Sequence, residues 1–213
     1  MSISQDSIQA GQDLKHLKSL EKSLLDLHDE TMNHMKQFGG GAYPYQNYAR
    51  LEKFVQTQQP KSILECGTAL GLTSIAMALG YDQAKIVSVD KNLRCLLLAE
   101  KNAVRFGVKS RIEFKNSTFL EVVKDFEDEV FDLVFFDGFA PGYTIFLEME
   151  RVLKIGGYMI CANLSLRGDR RKISLRMSDP SFYLNLESFD DTVSAQKQNS
   201  NKPQVNLLNL SSG

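Results

Sequence analysis

No stretch of this 213-residue chain is apolar for the roughly twenty residues that a membrane-spanning helix needs. The opening segment, MSISQDSIQAGQDLK, is polar and lacks the apolar centre of a secretory signal. Cysteine is scarce. Cys66, Cys95 and Cys161 are odd in number, lie in apolar segments and show no metal-ligand spacing. That suits a reducing, cytoplasmic location better than a disulfide framework. Net charge is nearly absent too, at −1 from 25 basic and 26 acidic residues. No global basic field draws in nucleic acid, so any such contact must come from a local patch. No internal repeat is present. The length allows one good-sized core with an extension.

What the chain does have is rhythm. From Asp13 to Phe38 leucines recur every three or four residues, at Leu14, Leu17, Leu20, Leu24 and Leu27, which predicts an amphipathic helix. FGGGAYPY then breaks the chain, and a second helix is expected over Gln46–Thr57. After Pro60 strands and helices alternate. SILEC, KIVSV, RIEF, FDLVFF and YMICAN read as strands. GLTSIAMALG, LRCLLLAEKNAVRFG, STFLEVVKDF and PGYTIFLEMERVLKIGG read as the helices between them. Near-continuous apolar strands separated by helices predict a parallel sheet covered on both faces. SFYLNLES and TVSAQKQ add two more strands. The expected organisation is a helical extension over 1–58, a sheet domain over 59–198 and a polar tail over 199–213.

The informative turn is SILECGTALGLTS, residues 62–74. In a doubly wound sheet, ligands sit at the carboxyl ends of the strands. Gly67 and Gly71 occupy that turn, but Glu65 stands where a pyrophosphate site would have its first glycine. A carboxylate there repels phosphate and favours an ammonium group, which argues against a nicotinamide dehydrogenase. Asp90 follows at the tip of the second strand, where an acid can accept from both ribose hydroxyls. By itself, Asp90 could equally be a helix cap. An acid for an ammonium and an acid for a ribose together describe S-adenosylmethionine.

With those residues in place, the chain resembles the class I S-adenosylmethionine-dependent methyltransferases, and within them the small O-methyltransferases related to catechol and caffeoyl-CoA methyltransferases. LECGTALGLTS, VDKN, FDLVFFDG and LKIGGYMICAN match that family's motifs in order, over about Met35–Asn163, with a weaker match at FDDTVSAQK. The resemblance implies a Rossmann-like, doubly wound, seven-stranded sheet, mostly parallel with the last strand antiparallel. It implies that Glu65 binds the ammonium, that Gly67, Thr68 and Gly71 line the cofactor, and that Thr73 touches its carboxylate. Asp90 and Lys91 fall at the ribose, and Ser117 and Thr118 at the adenine. Ser117 and Thr118 read equally well as a plain helix cap.

The resemblance also implies a divalent metal, and here the sequence departs from it. Asp137 and Asn163 fit the first and third ligand positions, but the middle one is Ala162. A lysine expected nearby is Ala140. One carboxylate and one amide make a poor site for a cation such as magnesium, so tight metal binding is not expected. Asp137 then becomes the candidate general base, with a structural strand-end acid as the bland alternative. Tyr143 and Phe139 match aromatic positions that flank the acceptor. Beyond strand five, Arg167, Arg170, Arg171, Lys172 and Arg176 read as a solvated loop or as a pocket for an acidic acceptor or an RNA phosphate. Some bacterial relatives methylate a hydroxylated transfer-RNA base. His16, His28 and His34 lie on the first helix, and His34 could approach the site. The leucine stripe of that helix could also join a homodimer. The expected activity is methyl transfer from S-adenosylmethionine to an oxygen of a small hydroxylated acceptor. The alternatives are an RNA methyltransferase and an inactive cofactor-binding partner protein.

Overall fold

The structure, a computed structural model, describes residues 5–39, 43–138, 142–164 and 169–199, with side chains from Lys18 onward. Phe139, Ala140, Arg167 and the side chain of His16 lie outside the described residues, as does nearly all of the expected tail. Two helices come first, α1 (Gln5–Phe38) and α2 (Tyr48–Gln58). Then follow β1 (Ser62–Cys66), α3 (Leu72–Gly80), β2 (Lys85–Asp90), α4 (Leu93–Arg105), β3 (Ile112–Asn116), α5 (Phe119–Lys124), β4 (Phe131–Phe136), α6 (Tyr143–Val152) and β5 (Leu153–Cys161). The described chain closes with α7 (Arg170–Ser178), β6 (Tyr183–Phe189) and β7 (Thr192–Lys197). No helix among the described residues is long and apolar enough to cross a membrane.

The seven strands form one sheet in the order β3-β2-β1-β4-β5-β7-β6. All run parallel except β7, which is antiparallel to both β5 and β6. The order reverses between β1 and β4, so the crevice for a ligand opens at their carboxyl ends. Alternation along each strand divides the core in two. Ile63, Leu133 and Phe135 face a layer holding Leu24, Leu27, Leu51, Val55 and Ile75 from α1, α2 and α3. Leu64, Cys66, Val134 and Phe136 face the opposite layer, with Val122, Phe146, Met149, Ile173 and Met177 from α5, α6 and α7. Burial on both faces is what the continuous apolar strands require. At about 25 cal/mol per Å² of apolar surface, each buried leucine or phenylalanine contributes ~1.5–3 kcal/mol. The helical extension is thus part of the core.

Two segments differ from the sequence reading. The helix expected to run to Gly157 stops at Val152, and Leu153–Gly157 instead opens β5, pairing Leu153 with Phe131. Leu153 is buried in either assignment, so helical spacing could not tell them apart. The expected basic loop contains a helix. Ile173 and Met177, four apart, are buried, while Arg170, Arg171 and Lys172 face solvent. The many cations hide a narrow apolar stripe that is enough to fold α7.

Candidate active site

The turn after β1 is built around an approach that only glycine permits. Gly67 has φ 110, and a Cβ there would lie 2.7 Å from the carbonyl oxygen of Asp137. The ends of β1 and β4 therefore meet backbone to backbone, and the Asp137 N–H donates to the carbonyl of Cys66 at 2.9 Å. Asp90 closes the turn from the β2 side. Its Oδ2 accepts from the backbone N–H groups of Thr68 and Ala69, both at 3.1 Å, and its Oδ1 from Asn92 at 2.9 Å. Ala69 is held at φ 45, an uncommon conformation for a residue with a side chain. The α4 cap is Asn92, whose side chain accepts from Cys95 N. Asp90 is therefore not a plain helix cap. It braces the turn, and its carboxylate retains acceptor capacity at the crevice.

Glu65 lies elsewhere than a ligand contact would require. It is fully buried, pointing into the α1–α4 layer beneath the first turn of α3. Thr73 donates to its Oε1 at 2.5 Å, Ser88 to its Oε2 at 2.5 Å, and the Ser74 hydroxyl also donates to Oε2. Thr68 joins through Ser88 at 2.7 Å. Burial pushes the Glu65 carboxyl up to about 7, with the three hydroxyls pulling the other way and the charge of Asp90 adding to the rise. The helix start above it favours negative charge. Direct contact of Glu65 with an ammonium is not open in this arrangement, because the side chain is covered. The Thr73 hydroxyl is likewise committed to Glu65. Both act by shaping the turn from below.

On the β3 side, Ser117 and Thr118 are engaged in a helix cap. Thr118 forms a capping box with Glu121, and both hydroxyls donate to Glu121 Oε2, at 2.9 and 2.7 Å. Those hydroxyl bonds hold the Glu121 carboxyl below its usual range. Lys91 is exposed beside Asp90.

Asp137 directly follows β4 at the floor of the crevice, with some of the residue exposed and its carboxyl withdrawn from water. Asn163, held at φ 60, donates its side-chain Nδ2 to Asp137 Oδ1 at 2.9 Å and to the carbonyl of Gly138 at 3.3 Å. Burial raises the Asp137 carboxyl well above its ordinary value, the charges of Glu65 and Asp191 add to this, and the Asn163 amide opposes it. A carboxyl raised in this way at the end of a sheet strand is a candidate proton acceptor. The donor set does not fit a divalent metal. The amide of Asn163 turns its N–H face to Asp137, and Ala162 is buried without an oxygen to offer. Among the described residues no three His, Cys, Asp or Glu side chains cluster as metal ligands.

Two residues near Asp137, Tyr45 and Asp191, had no local signal in the sequence. Tyr45, from the break after α1, hydrogen-bonds Thr192 across 147 positions at 3.1 Å and sets its ring edge-on to Phe135 at 5.2 Å. Burial pushes its phenol up to about 12, with the charges of Asp137 and Asp191 adding to the rise. The Asp191 carbonyl accepts from Leu164 N at 3.1 Å, which places the β6–β7 turn beside Asn163. The segment is stapled there twice more, by Asn47 to Asp190 at 3.0 Å and by Arg50 stacked 3.6 Å above Phe189. Tyr143 opens α6, with its N–H bound to Asp169 at 2.9 Å and its ring stacked on Phe146. His28 bonds Asp29 and Gln46, and His34 packs its ring on Phe38 at 4.9 Å. No described contact brings either histidine to Asp137.

A family model described as "Methyltransferase domain" matches residues 58–206. This chain belongs to that methyltransferase family. A catechol O-methyltransferase of Niastella koreensis is 26% identical over 121 residues, covering 55% of this chain and 55% of its own. The chain thus spans about half the length of the curated relatives it matches. An O-methyltransferase from Bacillus cereus, solved in complex with SAH, superposes with a TM-score of 0.66 at 19% identity, covering 83% of this chain and 91% of that one. A methyltransferase of Podospora anserina, solved SAH-bound, gives a TM-score of 0.68 at 18% identity, covering 93% and 100%. These methyltransferases share the fold described above.

Proposed function

We propose that this chain binds S-adenosylmethionine over the Gly67–Gly71 turn and transfers its methyl group to a hydroxyl of a small acceptor held against Asp137. The observation that carries the reading is the Gly67–Asp137 approach. It sets the cofactor turn and the candidate base in backbone contact, at the switch point where the sheet order reverses. The cradle is one that a Cβ would fill, and a Gly67 side chain would push the two ends apart. The named relatives, O-methyltransferases of catechol and caffeoyl-CoA type, support an oxygen acceptor.

When bound, S-adenosylmethionine supplies an electrophilic methyl carbon on a positively charged sulfur. The protein's own part is to hold and deprotonate. Asp90 meets the ribose hydroxyls with its remaining lone pairs while fixing the turn through Thr68 and Ala69. Asp137 accepts the acceptor's hydroxyl proton as the oxygen–carbon bond forms and the sulfur–carbon bond breaks. Alignment of nucleophile and methyl carbon contributes much of the rate. The Asn163 amide fixes the carboxylate's orientation. Tyr143, at the start of α6, is the candidate aromatic wall for the acceptor, and Tyr45 packs behind β4 on Phe135. No step runs through a metal, because the donor set does not suit one.

The test is release of S-adenosylhomocysteine with catechol, 3,4-dihydroxybenzoate and simple phenols as acceptors. Turnover that Asp137→Asn abolishes supports the reading. S-adenosylmethionine bound without turnover on any hydroxylated acceptor contradicts it and favours an inactive binding protein.

A further inference from the structure

The segment between α1 and α2, with the start of α2, reaches the β6–β7 hairpin at three points. Tyr45 hydrogen-bonds Thr192 at 3.1 Å, Asn47 donates to Asp190 at 3.0 Å, and Arg50 stacks 3.6 Å above Phe189. The family match begins at residue 58, so all three residues belong to the helical extension. The segment is itself fixed, because Gln46 donates to the Pro44 carbonyl at 3.0 Å and meets His28 of α1 at 3.1 Å. The three contacts are unequal. The Asn47 bond is exposed, as is the ion pair of Arg50 with Glu187, and exposed pairs contribute little. Tyr45 and Thr192 are both buried.

Core packing does not explain the Tyr45 hydroxyl. The ring packs edge-on against Phe135, and a phenylalanine could do the same. A buried hydroxyl costs free energy unless it is bonded, and an apolar pair of the same shape is nearly as stable as the bonded one. What the bond adds is direction. Thr192 directly follows Asp191, whose backbone carbonyl accepts from Leu164 N at 3.1 Å. On the other side of Asn163, Ala162 N donates to the Phe136 carbonyl at 2.8 Å. Asn163 is thus pinned between the end of β4 and the β6–β7 turn, at the uncommon φ of 60. From that backbone position its amide meets Asp137 Oδ1 at 2.9 Å.

We infer that Tyr45 is a positioning residue: through Thr192 it fixes the β6–β7 turn, and through that turn it holds the Asn163 amide on Asp137. Without the grip on Leu164, Asn163 relaxes from its uncommon backbone conformation and its amide leaves the carboxylate. The helical extension thereby takes part in the active site without touching the acceptor. The role rests on the proposed reading of Asp137 as the base, since it concerns how that carboxylate is oriented.

The experiment is NMR of the ¹⁵N-labelled full chain, which needs no acceptor, on the parent and on Tyr45→Phe. The Asn163 side-chain amide signal is assigned by its loss in Asn163→Leu. In Tyr45→Phe that signal should move toward the position of a water-exposed amide, and the Leu164 N–H should exchange about tenfold faster or more. The N–H groups of Ile63 and Val87, in β1 and β2, should keep their rates. Tyr45→Phe/Thr192→Val restores an apolar pair, so its melting temperature should recover while the Asn163 and Leu164 changes persist. The inference is overturned if both signals stay unchanged in Tyr45→Phe, if Ile63 and Val87 speed up equally, or if the double variant recovers signals and stability together. Turnover keeps the two readings apart. Activity that survives Asp137→Asn sinks the base reading, while the Asn163 signal still reports whether Tyr45 orients the amide. With the base reading intact, Tyr45→Phe should lower kcat about tenfold and leave the KM for S-adenosylmethionine unchanged, because the base is displaced and the cofactor turn is not. An unchanged kcat in that case also overturns the inference.

Discussion

Asn163 donates its side-chain amide to Asp137 across 2.9 Å, joining the ends of β5 and β4. In that geometry the Asn163 amide turns its N–H toward Asp137, as the proposed pairing of a base with its positioning amide requires.

Asp137→Asn should lower turnover by ~10²–10⁴-fold, the usual contribution of a positioned general base. Cofactor affinity should hold. Because the raised Asp137 carboxyl works only when ionised, activity should climb as pH rises through its elevated pKa. The Asn163 bond pulls that pKa down, so Asn163→Leu should move the midpoint of the pH–rate profile further up. A midpoint that stays in place would show that another group titrates.

Glu65 makes stability fall with pH. Its folded pKa, about 7, lies above the ordinary 4.5. Below 4.5 both states hold the proton and no penalty exists. Between 4.5 and 7 the unfolded chain loses its proton first, so folding weakens as pH rises, and above 7 the loss is complete. The total is on the order of 3 kcal/mol. Glu65→Gln should flatten the melting temperature across that window, as scanning calorimetry at several pH values would show.

Gly67→Ala places a methyl group against the Asp137 carbonyl at a positive φ. It should cost ~1–3 kcal/mol of stability and reduce cofactor affinity together. Asp90→Ala should weaken S-adenosylmethionine by ~1–3 kcal/mol through lost hydrogen bonds to ribose and turn. Isothermal titration of each variant measures the affinity change, and thermal unfolding measures the stability loss of Gly67→Ala.

Ala162→Asp would restore the oxygen that the strand-five end lacks. Ala162 is buried, so the new carboxylate is costly unless a cation satisfies it. The variant should be destabilised in EDTA and regain melting temperature with magnesium or manganese. The parent chain should show no such dependence.

Most of the sheet was legible because β1, β2 and β4 are buried on both faces and carry their signal in every residue. The Gly67–Gly71 turn was legible because its glycines are required by backbone approach. The direction of Glu65 was not. Acid, glycine and spacing read alike whether the carboxylate faces ligand or core, and only Ser74 and Ser88 meeting it from two other elements decide. The Tyr45–Thr192 contact joins segments with no local relation, and no periodicity encodes it. Helix α7 was hidden by its cations, and the start of β5 by a leucine that is buried in either assignment.

The most direct test of the account is titration calorimetry of the wild-type chain with S-adenosylmethionine, first in EDTA and then with magnesium. The account predicts tight binding in EDTA that magnesium leaves unchanged and that Asp90→Ala weakens. Absence of binding, or binding that appears only with magnesium, would contradict it.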